Sequence, residues 1–298
     1  MDRNRLIRDI TPSSHHASAP HGARLTASVV AGELARLTPR DRFLLNLLDQ
    51  HKTFTTDQLV DLTFGSAGRA RNRLNTLLER DILDRFRHYQ RPGSQAWRWT
   101  LGPVGAAIVA ASIGDSLPRP SAVRDATARL ALSPTLTHLI TTNGFFVALS
   151  AYARTDPATR LARWWNEAAC REAVGTVVRP DGHGVWIDGG HAVPFWLETD
   201  LGTETLSRVV GKLTGYAALP PSRAYPVLFW LPTAAREANL HAQLARTGVP
   251  DAVTVATAAA DHAADAGGPV GPVWRMPGQP GRVALADLTA SGGAVWDG

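Results

Sequence analysis

The chain has 298 residues, of which 44% are hydrophobic and 19% are charged, which allows two folded domains. Its single cysteine, Cys170, excludes an internal disulfide framework and a cysteine-based zinc site, and we expect it to be a small buried side chain. Because we find neither an apolar run long enough to span a membrane nor a secretory signal, we expect a cytoplasmic protein without a membrane partner.

Positive charge is concentrated in the first part of the chain. Residues 1–120 hold 17 Arg or Lys against 11 Asp or Glu, and the rest hold 14 against 15, within a formal net charge of +5. This distribution indicates a polyanionic partner for the N-terminal part. Only Lys52 and Lys212 are lysines. We single out Lys212 because an arginine cannot give up a proton and its guanidinium cannot mimic a compact ammonium group.

The N-terminal segment, residues 1–37, is predicted to be a disordered arm and a lead-in. Roughly its first 25 residues are rich in Ser, His and Pro and show no apolar periodicity.

Residues 38–113 are predicted to form a winged helix-turn-helix domain. Thr38 and Pro39 are typical of the start of a helix, and two further short helices follow with tight turns between them. The third has a buried stripe at Ala70, Leu74, Leu77 and Leu78. Two alternating strands then flank a Pro-Gly turn, as expected of a wing, and an Ala-rich helix ends the domain.

This domain is expected to bind double-stranded DNA. A recognition helix enters the major groove by its N-terminal residues, so Arg69, Arg71 and Arg73 are its predicted contacts. The contacts predicted for the hairpin, to the DNA backbone or minor groove, are Arg87, His88 and Arg91. The alternative is a winged helix that contacts protein, with a solvated charged face.

The Pro-containing stretch 114–121 is predicted to be a linker, since it lacks apolar periodicity. Residues 122–298 are predicted to form the second domain. A helix, three strands, a helix and a fourth strand follow one another there, which predicts an α/β (α+β) sandwich on a mixed central sheet. The apolar run YPVLFWLPT is expected in the sheet interior.

The segment FWLETDLGTETLSRVVGKLTGY is predicted to be a strand followed by a helix. Residues two apart in a strand share a face, so Glu198 and Asp200 are expected side by side at its C-terminal end. Gly202 is expected to end the strand, and Thr203 to cap the helix that carries Lys212. Upstream, Asp181 precedes a short strand. Carboxylates clustered in this way are the ligands that hard divalent cations prefer.

These residues carry a resemblance to a known family. The order Pro180-Asp181, Glu198-Thr199-Asp200 and Lys212 resembles the PD-(D/E)xK nuclease superfamily. The wider string ETDLGTE…KLTGY is similar to the bacterial replication-relaxation family, whose members pair an N-terminal winged helix with such a domain. The resemblance covers most of residues 38–235.

The resemblance implies a metal-dependent site. Asp181, Glu198 and Asp200 would bind Mg²⁺ or Mn²⁺, and Lys212 would stabilise the phosphate or orient a water. Superfamily members often add an acid from the preceding strand, which makes Glu167 a further candidate; the alternative is a surface side chain. The glycine-flanked His183 and His191 are expected to face water.

Two interpretations of function remain open. In the first, the chain is a DNA-binding protein of a plasmid or mobile element that acts in replication and DNA relaxation as a metal-dependent nickase or endonuclease, with other replication or transfer proteins as partners. In the second, it is a non-enzymatic DNA-binding accessory or transcriptional regulator with a nuclease-like scaffold. Lys212 among arginines favours the first. Asp200, where the superfamily usually has its Lys, favours the second.

Overall fold

The computed structural model describes residues 10–12, 25–89 and 95–288. The chain divides into two compact units, Met1–Asn143 and Gly144–Gly298. This division lies beyond the linker predicted at 114–121. Residues 115–119 have no regular structure, but Pro120 then begins a helix whose end packs on the first unit, with Ala131 and Leu136 buried against Phe86.

The first unit consists of helices around a small antiparallel sheet. Its helices are α1 (Ala27–Ala35), α2 (Pro39–His51), α3 (Thr56–Thr63), α4 (Ala67–Glu79), α5 (Pro103–Ser112), α6 (Pro120–Ala131) and the first part of α7 (Leu136–Ala153). Its strands are β1 (Ile10–Pro12), β2 (Phe54–Thr55), β3 (Leu83–His88) and β4 (Arg98–Leu101). The strands pair in the order β1-β3-β4-β2.

Local capping explains where the helices of this unit begin. At α2, the Asp41 N–H donates to Thr38 Oγ1 over 3.2 Å, and the Thr38 N–H donates to Asp41 Oδ2 over 2.8 Å. This reciprocal capping box satisfies two backbone donors that the first turn would otherwise leave unpaired. At α4 the Ser66 hydroxyl accepts a hydrogen bond from the Arg69 N–H, without the reciprocal bond. The buried stripe of α4 is the predicted one, Ala70, Leu74, Leu77 and Leu78.

Two elements of the N-terminal segment were not predicted. Residues 10–12 form β1, which pairs with β3, whereas a disordered arm was expected there. Residues 27–35 form α1, capped by Thr26. Only Val30 of this helix is buried. The other residues of the arm, 1–9 and 13–24, lie outside the described part of the chain.

The second unit is built on a five-stranded mixed sheet. Its strands are β5 (Thr159–Asn166), β6 (Gly182–Asp188), β7 (His191–Thr199), β8 (Val227–Leu231) and β9 (Val255–Ala259), paired in that order. Its helices are the rest of α7, α8 (Glu167–Val174), α9 (Leu206–Gly211), α10 (Leu213–Ala217), α11 (Ala234–Thr247) and α12 (Ala260–Ala263). The pairs β5-β6 and β6-β7 are antiparallel, and β7-β8 and β8-β9 are parallel. The predicted α/β class with a mixed sheet is therefore confirmed, and the apolar run 225–233 provides an interior strand.

Strand β7 is buried on both faces. Phe195 and Leu197 belong to one apolar cluster, and Trp196 belongs to the other, which also contains Cys170. Alternation along the strand was predicted correctly, as was the burial of Cys170. Because both faces are covered, a polar side chain at the end of β7 must find its partners inside the protein.

The segment after β7 differs from the prediction. Gly202 does follow the strand, at a φ of 79° that suits glycine. The prediction of a single helix capped by Thr203 was wrong: two short helices, α9 and α10, meet at Lys212, and the first begins after Thr205.

No helix in the described ranges is long and apolar enough to cross a membrane.

The capping box of α2 is expected to contribute strongly to the stability of the first unit, because Asp41 also pairs with Arg73. We predict that Asp41→Ala lowers the free energy of unfolding by about 3 kcal/mol, since it removes a cap and leaves the Arg73 charge without its buried partner. Urea denaturation measures the change. The matched control is Asp125→Ala, at an exposed position of α6, which should change stability by less than about 0.5 kcal/mol. Equal effects of the two substitutions would contradict this role of Asp41.

Candidate functional site

The carboxylate of Glu198 is the centre of the candidate site. Glu198 is the next-to-last residue of β7 and only 1% exposed. Lys212 Nζ donates to its Oε2 over 2.6 Å, and the Tyr216 hydroxyl donates to its Oε1 over 2.6 Å. Lys212 and Tyr216 reach one carboxylate together because they are four residues apart in a helical segment.

Asp181 lies beside this carboxylate, just before β6. Its N–H donates to the Leu197 carbonyl over 3.0 Å, and its Oδ2 accepts a hydrogen bond from the Thr199 N–H over 2.7 Å. These two bonds fix Asp181 against the last residues of the β7 backbone, on either side of Glu198. Asp181 and Glu198 are therefore brought together.

Burial and the neighbouring Asp181 charge raise the pKa of Glu198 to about 7, although Lys212 and Tyr216 act in the opposite direction. Burial by itself would lower the pKa of Lys212, but the charge of Glu198 outweighs it and the pKa is raised. Lys212 is thus held protonated beside two acids. A buried negative charge that its cation offsets only in part favours the approach of a further positive group.

Asp200 has different partners. Its Oδ1 accepts a hydrogen bond from the Gly202 N–H over 2.7 Å, and its Oδ2 pairs with Arg236 Nε over 2.7 Å. Arg236 also donates to the Glu204 carbonyl over 2.6 Å. Asp200 is thereby used to hold the loop after β7 against α11.

The same loop supplies a second carboxylate to Lys212. The Glu204 Oε2 lies 3.7 Å from Lys212 Nζ, compared with 2.6 Å for Glu198. Lys212 therefore has a nearby alternative partner if the carboxylate of Glu198 is taken up by another cation.

The three predicted acids do not converge. Within the described ranges, no three His, Cys, Asp or Glu side chains are grouped so that they could hold a metal ion. The reason is that Asp200 is engaged by Arg236, whereas Asp181 and Glu198 remain together. Glu167 is the first residue of α8 and is exposed, and its charge contributes to the raised pKa of Cys170 less than burial and Asp181 do.

The expectation that His183 faces water was wrong. His183 is 1% exposed, its ring contacts Trp165, Trp196 and Tyr225, and its Nδ1 lies 2.8 Å from the Phe195 carbonyl. Burial lowers its pKa to about 3, so the ring is neutral and structural at ordinary pH. His191 is exposed, as expected.

Sequence reasoning did not select Tyr216 as a site residue. The spacing of Lys212 and Tyr216 could have identified it, because residues four apart lie on one side of a helix. An aromatic residue at the end of an apolar helix is ordinarily a core side chain, and nothing else in the sequence distinguishes this one. The structure shows a buried hydroxyl whose hydrogen bond orients Glu198.

In the first unit, the arginines of α4 fall into two groups. Arg69 and Arg71 are exposed. Arg73 instead donates from Nε to Asp41 Oδ1 over 2.9 Å, and Asp41 is 1% exposed. Burial would raise the pKa of Asp41, but hydrogen bonds from Arg73 and Thr38 hold it below its usual value. Arg73 is thus committed to an internal ion pair.

The three hairpin residues that were predicted to contact DNA also differ in their surroundings. The Arg87 guanidinium carbon lies 4.3 Å from the centre of the Trp97 ring. The Nε2 of His88 lies 2.9 Å from the Ala131 carbonyl at the end of α6, so His88 helps to attach that helix. Arg91 lies outside the described residues.

Comparison with known protein families gives a match over much of the chain. The family model described as Replication-relaxation matches residues 45–225, which is more than half of the chain. No curated protein and no solved structure matches it.

The raised pKa of Glu198 predicts a pH-dependent stability. In the folded state this pKa is about 7, against an ordinary value of 4.5. The stabilising contribution of the protonated carboxyl is therefore complete below pH 4.5 and is lost as the pH rises through about 7. We expect the free energy of unfolding of the wild type to fall across this window by on the order of 2 kcal/mol relative to Glu198→Gln.

Urea denaturation from pH 5 to pH 8, with a chelator present, measures this difference. Glu198→Gln is the appropriate comparison because its amide oxygen can still accept a hydrogen bond, while the titration is removed. Stability curves that run parallel for the two proteins would contradict the assignment.

Proposed function

Because the chain belongs to the replication-relaxation family, we propose that it is a DNA-binding protein that acts in the replication or relaxation of plasmid or other mobile DNA. Its DNA-binding part is the first unit, through the N-terminal end of α4. The observation that carries this proposal is that Arg69 and Arg71 are exposed there while the neighbouring Arg73 is neutralised by Asp41.

The arrangement of elements around α4 supports the proposal. Three consecutive helices, α2, α3 and α4, lead into the antiparallel pair β3-β4, which is the element order of a winged helix-turn-helix. In that motif the third helix reads the major groove and the hairpin reaches the backbone.

The electrostatics of α4 favour an anion at its N-terminus. Its first turn contains no acidic residue, and the helix dipole places partial positive charge at that end. The helix dipole does not stabilise arginines at this end of the helix. A phosphate would be attracted both by the arginines and by the positive end of the dipole. The basic excess of residues 1–120 has the same sign.

We predict that Arg69→Gln with Arg71→Gln weakens binding to duplex DNA and lowers the slope of log K against log salt by about 2, which is about 1 for each phosphate that is no longer neutralised. Fluorescence anisotropy across a salt series measures both quantities. The matched control is Arg36→Gln with Arg129→Gln, which removes two exposed charges, one directly after α1 and one in α6. If the control lowers the slope as much as the α4 double variant, then α4 is not the DNA-contacting helix.

A second candidate function, metal-dependent DNA cleavage, is favoured by the cluster of Asp181, Glu198 and Lys212. The donor chemistry suits a magnesium or manganese ion, since two carboxylates and water are a common ligand set for Mg²⁺. Asp181 and Glu198 would hold the ion. Asp200 is bound by Arg236, so it belongs to the support of the site in this proposal. A bound divalent cation would supply charge that polarises a phosphodiester.

The remaining residues of the cluster have roles that follow from their contacts. Tyr216 orients Glu198 through its 2.6 Å hydrogen bond. Lys212, once displaced from Glu198 by a cation, can pair with Glu204 and retain a positive charge near a phosphate. In this proposal Lys212, on the segment after β7, takes the role of the lysine that the nuclease superfamily usually has at position 200.

We predict that Mn²⁺ at millimolar concentration raises the melting temperature of the wild type, because it offsets the repulsion between Asp181 and Glu198. Asp181→Asn and Glu198→Gln should each abolish this rise. Asp200→Asn should retain it, measured relative to that variant's own metal-free melting temperature. A wild type that does not respond to the ion would refute the metal site, and loss of the response in Asp200→Asn would indicate that Asp200 is a ligand.

Cleavage is tested separately with supercoiled plasmid. If the protein nicks or linearises it, Lys212→Ala should reduce cutting while the metal-induced rise persists, and Lys212→Arg should restore cutting only in part. Metal stabilisation with the plasmid left intact would assign the second unit a binding role, as in a non-enzymatic accessory protein.

A further inference from the structure

Two arginines of β3 and a tryptophan next to β4 form a cluster outside the helix already discussed. The guanidinium carbons of Arg85 and Arg87 lie 4.2 Å and 4.3 Å from the centre of the Trp97 ring. Both contacts are close enough for cation–π attraction. The two side chains project from the same face of β3, since they are two residues apart. The indole thus holds two positive charges near each other.

These charges are incompletely compensated. The Nε atoms of Arg85 and Arg87 are buried and have no hydrogen-bond partner among the described residues. Burial, followed by the charge of Arg87, lowers the pKa of Arg85, although Asp84 acts against this. Two partly dehydrated cations side by side are costly without an anion. An anionic ligand that contacts both would offset this cost.

The cluster is continuous with one side of α4. Arg85 Nη1 donates to Asn75 Oδ1 over 3.1 Å, and Asn75 is an exposed residue of α4. Arg71 is four residues before Asn75, so both lie on the same side of the helix. A surface therefore extends from Arg71 through Asn75 to Arg85 and Arg87.

Stacking suits these arginines to a particular ligand. A guanidinium that lies over an aromatic ring keeps its planar set of N–H donors at its edge, where they match the oxygens of a phosphate group. Because the ring also restricts the side chain, less conformational entropy is lost when the ligand binds.

We propose that Arg85 and Arg87, held on the Trp97 ring, form a phosphate-binding site for the backbone of the duplex DNA that α4 contacts. Trp97 is the positioning residue of this site, and it touches the arginines. This inference rests on the proposed function of the first unit. It adds Arg85 and Trp97 to the proposed DNA interface, and it specifies that Arg87 binds a phosphate group of the DNA backbone.

The test measures DNA affinity over a salt series for five variants of the full chain: Arg85→Gln, Arg87→Gln, Arg87→Lys, Trp97→Ala and Trp97→Phe. Each Gln variant should lower the salt slope by about 1. Trp97→Ala should weaken binding by about tenfold without any change of formal charge, and Trp97→Phe should weaken it less. Arg87→Lys should keep most of the slope but bind more weakly, because an ammonium does not stack or bond as a fork.

The control is Arg36→Gln, which removes one exposed charge from the same unit. Thermal unfolding identifies any variant that fails to fold, and Arg87→Lys then carries the test, because it preserves the charge. Variants of Arg85, Arg87 and Trp97 that bind like the control, while Arg69→Gln with Arg71→Gln weakens binding, would overturn this inference and leave the proposed function intact. A wild type that binds no duplex would overturn both.

Discussion

The placement of an acid at the buried end of a central strand is the constraint on which the second unit depends. Strand β7 is covered on both faces, so the Glu198 carboxylate cannot reach bulk water and must be satisfied by side chains. Lys212 and Tyr216 provide the two hydrogen bonds. Burial, and after it the charge of Asp181, raises the pKa of Glu198 in spite of these two bonds. An arrangement of this kind costs stability in the absence of a further cation, and such a cost is typical of functional sites.

Asp200 lies two residues after Glu198 but has different partners. Alternation places Glu198 and Asp200 on one side of β7, and that much follows from the sequence. Their partners could not be predicted, because Arg236 belongs to α11 and approaches Asp200 only when the sheet and the helix are packed. Asp200 therefore supports the loop that carries Glu204. Its carboxylate has a structural role, which is to hold that loop to α11.

Predictions from the sequence were accurate where local rules decide the structure. Thr38 and Pro39 start α2, the buried stripe of α4 is as expected, and β8 is an interior strand. They were wrong where distant residues decide it. His183 lies among glycines and looked solvent-facing, but Trp165, Trp196 and Tyr225 come from other segments and enclose it. The division after Asn143 lies beyond the linker predicted at 114–121, and Leu136 packs on Phe86, which is far from it in the sequence.

The partners of the α4 arginines also come from distant parts of the sequence. In sequence Arg69, Arg71 and Arg73 look equivalent, but at about 100° per residue, which follows from 3.6 residues per turn, Arg71 and Arg73 project in very different directions. Arg73 meets Asp41 of α2 and is neutralised, whereas Arg71 lies on the side where Asn75 contacts Arg85. Counting cations therefore overstates the positive charge that α4 presents to a ligand. The ion pairs that neutralise arginines, more than the net charge, determine which face of the first unit attracts a polyanion.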